Sequence, residues 1–144
     1  SFLPSELNAA FLCAQLERID TIQRRRMEIF ALYDRLLREP LARLGVGTPF
    51  IPPDCVGNAH AYFIVLPDAQ ARTRLVAAMK AEGVATASHY ASLHKSRFFQ
   101  ALHDGRALPN SDRYSDCLLR LPLYYELEDS EVHFICEKLL EKLG

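Results

Sequence analysis

The chain has no C-x-x-C pair, no glycine-rich phosphate loop, no internal repeat and no low-complexity segment. Its four cysteines, Cys13, Cys55, Cys117 and Cys136, are widely scattered, and no secretory segment stands ahead of them. That usage predicts reduced thiols and a cytoplasmic setting. No apolar run approaches the roughly 20 residues that span a bilayer, so no membrane partner is expected. Nor is there an excess of either charge: the formal net charge is -1, which gives no global field to draw the chain to nucleic acid or an acidic lipid surface. Partners have to be argued from local chemistry.

What is present is enough to fold. The sequence has 144 residues, 49% of them hydrophobic, and a domain of this size buries about 68–70% of its unfolded surface. It opens on Ser1-Phe2-Leu3-Pro4 without an initiator methionine, which suggests a processed chain or a piece of a larger protein. Pro4 and Glu6 suit a first helical turn. Leu7, Ala10, Phe11, Ala14 and Leu16 then recur at helical spacing, predicting a helix to Leu16–Arg18, with Ala9, Ala10 and Ala14 small enough for close packing. Ile19, Ile22, Met27, Ile29, Phe30, Tyr33, Leu36 and Leu37 continue the period, so a second long helix follows, or one helix bent near residues 18–21. Arg24-Arg25-Arg26 covers most of a helical turn rather than one face, which favours a solvated or carboxylate-paired surface over an anion patch. Pro40 is expected to bend or end this helix. Cys13 and Cys136 fall on apolar positions and are expected to be buried.

A turn-rich connector through Gly45, Gly47, Pro49, Pro52, Pro53 and Gly57 leads to the clearest strand, Ala61 to Leu66, apolar on both faces. Ala71 to Ala81 reads as a helix closed by Gly83, and Val84 to Ser88 as a second strand completing a β-α-β unit, in parallel or split pairing. Lys95 to Leu102 is expected to form a short helix. Another, capped by Ser111 or Asp112, should run through Leu119 and stop before Pro122. Arg120 to Tyr125 reads as extended, with Pro122 favouring a sheet edge, and Asp129 or Ser130 starts a terminal amphipathic helix. The fold class predicted is α+β: long N-terminal helices and a small sheet covered by helices.

Complete catalytic machinery is not visible. His89 and His94 could form a metal pair, but only Cys117 or His60 could be a third ligand, so no metal is expected. No cysteine sits where a thiolate would be stabilised, and Lys80, Lys95, Lys138 and Lys142 lie in polar or terminal settings unlike those of a Schiff-base lysine. His89-Tyr90 has two readings: a half-exposed strand end, or a strand end that delivers Tyr90 and two imidazoles to a pocket as oriented donors and acceptors. Periodicity does not choose between them.

Four stretches occur in a telling order: Ser5-Glu6-Leu7-Asn8-Ala9-Ala10-Phe11-Leu12-Cys13-Ala14-Gln15-Leu16-Glu17, then Asn58-Ala59-His60-Ala61-Tyr62-Phe63-Ile64, then His89-Tyr90-x-x-Leu93-His94, then Arg120-Leu121-Pro122-Leu123-Tyr124-Tyr125. Together they resemble the C-terminal part of the DegT-type nucleotide-sugar aminotransferases, with Ser-Phe-Leu-Pro-Ser-Glu at the helix entrance as in the dTDP-4-amino-4,6-dideoxygalactose transaminase branch. The resemblance implies a fold-type I enzyme that uses pyridoxal phosphate to move an amino group, usually from glutamate, onto a nucleoside-diphosphate 4-keto-6-deoxy sugar. It implies a missing N-terminal large domain carrying the Schiff-base lysine, residues 1–44 as helices linking to that domain, and residues 45–144 as the small α+β domain. It also implies a homodimer of the full-length enzyme, with Ser1 a contact of the neighbouring subunit's cofactor phosphate. His89, Tyr90 and His94 would sit at the mouth of the active site and contact the sugar or position the domain, with Asn58 and His60 at a nearby strand entrance. The chain by itself is expected to be inactive and to hold no cofactor; a stand-alone sugar-nucleotide binding module is the alternative. By chemistry alone, Arg97, Arg113 and Arg120 are candidates for the diphosphate.

Overall fold

The computed structural model describes residues 3–144; the expected phosphate contact Ser1 lies outside the described residues. Helix α1 runs Glu6–Leu16, its N-cap Ser5 accepting the Asn8 N–H at 3.3 Å. After a break at Glu17 and Arg18, α2 runs Ile19–Arg43, so two helices form rather than one bent one. No residue of α1 is buried. Leu7, Phe11, Leu12 and Leu16 are all exposed, with nothing among the described residues burying them. Cys13 is exposed for the same reason, correcting the expectation of a buried thiol. The second half of α2 behaves oppositely: Ile29, Leu32, Tyr33, Leu37 and Leu41, spaced at three and four, are buried. Pro40 does not end this helix but lies inside it. The proline removes one backbone bond to the preceding turn, and fully buried Leu37 and Leu41 on either side hold that turn to the core.

Strand β1 is Tyr62–Val65. Helix α3, Ala69–Ala81, starts at Asp68, whose carboxylate accepts the Ala71 N–H at 2.8 Å, and ends before Gly83, which takes φ 79° as a helix stop requires. A 3-10 turn, Leu93–Lys95, is the only helical element in the stretch predicted as a short helix from Lys95 to Leu102. Helix α4 is Pro109–Cys117, β2 is Leu118–Leu121, and α5 is Asp129–Leu143. Proline at the first position of α4 replaces the predicted Ser111 or Asp112 cap. The switch to strand at Leu118, where helix had been expected, follows from period-two burial: Leu119 and Leu121 point inward while Leu118 and Arg120 do not. A capping box between Glu128 and Glu131 starts α5.

Strands β1 and β2 pair antiparallel, with Tyr62 opposite Leu121 and Val65 opposite Leu118. Single antiparallel bridges extend the sheet at both sides, Gly47 with Val65 and Ala87 with Arg120. The expected strand Val84–Ser88 is thus reduced to one bridge. It lies parallel to β1 with β2 inserted between them, the split form of the β-α-β unit. Since Arg120 pairs with both Phe63 and Ala87, β2 is not an edge strand, contrary to the reading of Pro122; the proline falls one residue past the ladder, where its missing N–H costs nothing.

The core lies between α2, α5, α3 and the inner face of the sheet, where Tyr62, Ile64, Leu119 and Leu121 meet Leu37, Met79, Val132 and Leu139. Tyr33 stacks on Tyr62 at 5.2 Å and Phe30 meets Tyr62 edge-on at 5.1 Å. Each phenol has a partner: Tyr33 donates to the Pro122 carbonyl at 2.9 Å, and Tyr62 to Asp34 at 3.4 Å. Burial raises both tyrosines above their ordinary value. The sequence division at residue 44 falls at the end of α2, yet Ile29 to Leu41 share one core with α5.

Burial also pushes the Cys136 thiol up to about 12, which keeps it protonated and unreactive. A colorimetric thiol assay on the native chain is therefore expected to show fast modification of exposed Cys13 and Cys55, with Cys117 and Cys136 reacting only on unfolding.

Two surface carboxylates contribute modestly to the acid sensitivity of the fold. Hydrogen bonding and charge from Lys142 hold Glu82 below its ordinary 4.5, and Lys95 holds Asp112 below 3.8. A depressed folded pKa contributes stability that is present above the unfolded value and lost as pH falls through the folded one. The thermal midpoint should accordingly hold as pH drops from neutrality to about 4.5 and then decline. Glu82→Gln should flatten part of that decline.

Candidate functional site

Strand geometry places the site residues. On β1 and β2, Tyr62, Ile64, Leu119 and Leu121 face the core, so Phe63 and its partner Arg120 face the other way, with Ala87 beside them. Two residues beyond Ala87, His89 comes back over this outer face, and the Arg120 guanidinium Nη1 meets its Nδ1 at 3.2 Å. Tyr90 packs its ring on His89 at 4.8 Å and is 80% exposed. His89 and Tyr90 are joined by a cis peptide bond. An exposed apolar ridge, Leu93, Phe98 and Leu102, follows in the same loop.

Asn58 and His60 sit at the entrance to β1, held from α2. Gln23 donates to the Asn58 carbonyl, and Arg26 to the carbonyls of Ala59 at 3.1 Å, His60 at 2.7 Å and Leu123 at 3.3 Å. Ala59 takes φ 48° in this turn. The Asn58 side-chain oxygen accepts the His60 N–H at 3.1 Å, which leaves its amide nitrogen as the group able to act outward. Both residues line a shallow cavity of about 270 Å³ together with Phe30, Phe50 and Phe63. Burial, and then the nearby charge of Arg120, lower the Arg26 pKa.

His94 goes elsewhere. Its side chain is 13% exposed, with Nε2 3.1 Å from Asp112 on α4 and its ring 5.1 Å from His103. Lys95 reaches the same carboxylate at 2.7 Å, and buried Ser92 bonds Ser111 and Ser115. His94 thus helps clamp the 92–95 loop to α4, beside a cavity of about 350 Å³ lined by Leu93, Phe99, Leu102 and His103. So His89 and Tyr90 lie against Arg120 on the outer face of the sheet, Asn58 and His60 lie at the entrance to β1 in a cavity shared with Phe63, and His94 turns to Asp112. Among the described residues, no three His, Cys, Asp or Glu side chains group closely enough to hold a metal ion.

Arg26 and Arg120 organise this surface. Sequence chemistry names Arg120 only as a diphosphate candidate; the signal that places it on an outward strand position is its setting between Leu119 and Leu121, which the structure buries. Arg26 carried no such signal, since its role depends on carbonyls 33 to 97 residues away in sequence. The triple-arginine run turns out to be structural in the same sense: Arg25 pairs with Glu28 and Asp129 and donates to the Leu127 carbonyl, tying α2 to the start of α5.

The lysines settle whether this chain could hold an aldehyde cofactor covalently. Lys95 is paired with Asp112, Lys138 with Glu141 and Lys142 with Glu82, while Lys80 is exposed on α3. A Schiff-base lysine needs a desolvated amine without a salt bridge. None of the four fits, so no covalent step is routed through them. No helix of the described residues is long and apolar enough to cross a membrane.

Comparison with known proteins gives the same picture. Aminotransferase TlmJ from Streptoalloteichus hindustanus superposes with a TM-score of 0.80 at 28% identity, over 91% of this chain and 34% of that one. DesV of S. venezuelae, solved in complex with a ketimine intermediate, gives a TM-score of 0.84 at 24% identity over 94% of this chain and 36% of its own. Helicobacter pylori PseC, an aminotransferase involved in the biosynthesis of pseudoaminic acid, gives 0.75 at 18% identity over 91% and 35%. The chain spans about a third of the length of these proteins, and its α+β arrangement of long N-terminal helices with a small covered sheet is theirs in that third. The sequence pattern of one family matches residues 4–140, nearly the full length, and the chain therefore belongs to the DegT/DnrJ/EryC1/StrS aminotransferase family.

Proposed function

We propose that this chain forms the sugar-facing part of a pyridoxal-phosphate enzyme that transfers an amino group, from glutamate, to a nucleoside-diphosphate 4-keto-6-deoxy sugar. The observation that carries this reading is the His89–Arg120 contact with Tyr90 against it, on the outer side of the sheet, where His89 and Tyr90 are exposed. Imidazole, phenol and guanidinium together supply the donors that sugar hydroxyls and phosphoryl oxygens take. Asn58 and His60 extend the same wall. His94 supports it from behind by holding the loop to α4.

Pyridoxal phosphate, when bound, would supply the electron sink for amino transfer, and the lysine that holds it lies outside this chain. Residues 1–44 link to the large domain in this reading, and residues 45–144 form the small domain. The uncovered apolar face of α1 is the part of the link that the large domain would bury. Ser1 would contact the cofactor phosphate of the neighbouring subunit in a homodimer. The chain alone is inactive.

The test compares two proteins. Full-length enzyme should show an internal-aldimine absorbance and aminate a 4-keto-6-deoxy nucleotide sugar, while the 144-residue chain does neither. Transamination by the chain alone would overturn the proposal, and micromolar binding of a nucleotide sugar by the chain alone would favour a stand-alone binding module.

A further inference from the structure

Arginine offers donors only and keeps its charge at any pH a protein tolerates. The 3.2 Å contact between Arg120 Nη1 and His89 Nδ1 therefore has one direction: the guanidinium donates and the Nδ1 lone pair accepts. A neutral imidazole has a single N–H, so here the proton sits on Nε2. We propose that Arg120 is a positioning residue that holds His89 as its Nε2–H tautomer. His89 then meets a ligand as a donor and selects an oxygen acceptor, a carbonyl, hydroxyl or phosphoryl oxygen, at that point of the site. The inference rests on the sugar-site reading for the identity of the ligand, but its geometric part stands without it.

The two residues differ in how they are held. Arg120 is bonded through its backbone to Ala87 in both directions, at 2.7 and 3.1 Å, lies opposite Phe63, and is flanked by buried Leu119 and Leu121. His89 lies beyond the last bridge, in a stretch with no ladder partner. Its ring is fixed by the Arg120 guanidinium and by the Tyr90 ring. The strand thus supplies the rigidity, and the guanidinium carries it to a side chain on a loop. Among the described residues the contact with His89 is the one side-chain hydrogen bond of Arg120. Its remaining N–H groups are left for the same oxygen-rich ligand, and a site made of donors disfavours an ammonium or amide N–H in that place.

Nitrogen NMR on the 144-residue chain with labelled histidine and arginine tests this directly. The His89 ring is expected wholly as the Nε2–H form, with an unprotonated Nδ1 correlated through the hydrogen bond to an Arg120 Nη proton. Arg120→Leu should abolish the correlation, move the Nδ1 resonance and populate both tautomers. Arg120→Lys, which keeps a donor-only cation, should retain Nε2–H. A wild-type ring protonated on Nδ1 would overturn the proposal, as would an unchanged Nδ1 resonance in the leucine variant with its methyl dispersion intact. If that variant loses its dispersion, the wild-type tautomer decides alone. An Nε2–H ring in a full-length enzyme whose amination is indifferent to His89→Ala would leave the tautomer standing and remove the sugar-site reading.

Discussion

In full-length enzyme, His89→Ala is expected to lower kcat/KM for the nucleotide sugar by about tenfold to a hundredfold while pyridoxal phosphate stays bound. The size follows from what is left behind: losing one hydrogen-bond partner in a closed, desolvated site costs roughly 1–3 kcal/mol, and about 1.4 kcal/mol is a factor of ten. Tyr90→Phe should cost less, because it removes one hydroxyl and leaves the ring on His89 at its 4.8 Å spacing. The loss should appear with the sugar substrate and not in the half-reaction with the amino donor, since neither residue belongs to cofactor chemistry in this reading. Absorbance of the bound cofactor and single-turnover kinetics with each half-substrate check it. Release of the cofactor by either variant would instead place this wall on the phosphate side.

Leu37→Ala is expected to destabilise the chain by about 2–5 kcal/mol, the range for a leucine removed from a close-packed core. Leu37 is fully buried and belongs to the one cluster that α2, α3, α5 and both strands share. The matched control is Leu12→Ala on α1. Leu12 is exposed, and a surface substitution of this kind changes stability by within about 0.5 kcal/mol. Urea unfolding of the chain should separate the two variants clearly. In the full-length enzyme Leu12→Ala should become costly, because there the large domain would bury its side chain. Equal effects of Leu12→Ala in both proteins would contradict the proposed role of α1.

Much of this was readable along the chain. The periods of α2, α3 and α5 fixed those helices because each buries a stripe against its neighbours, and Gly83 marked a turn only a left-handed residue closes easily. The four ordered stretches carried the family, since local sequence at a site records the chemistry it serves. The errors share a cause. Cys13 was expected inside because its helix is apolar, but periodicity reports that a face wants burial and not what will cover it. Leu118 and Leu119 were read as helix because a short apolar run suits helix and strand equally. Pro40 is expected to bend or end α2 from its residue type alone, and the helix runs on to Arg43 because Leu37 and Leu41 on either side anchor that turn in the core.

By itself, then, the sequence determined the α+β class and the helices that carry the core, both of which depend on local spacing and residue type. The tertiary structure alone decided which strands pair, that Arg26 braces the entrance to β1, that His94 turns to Asp112, and that Arg120 holds His89. Each of these joins residues far apart in the chain, and only packing of the sheet against α2 and α4 brings their atoms within bonding distance.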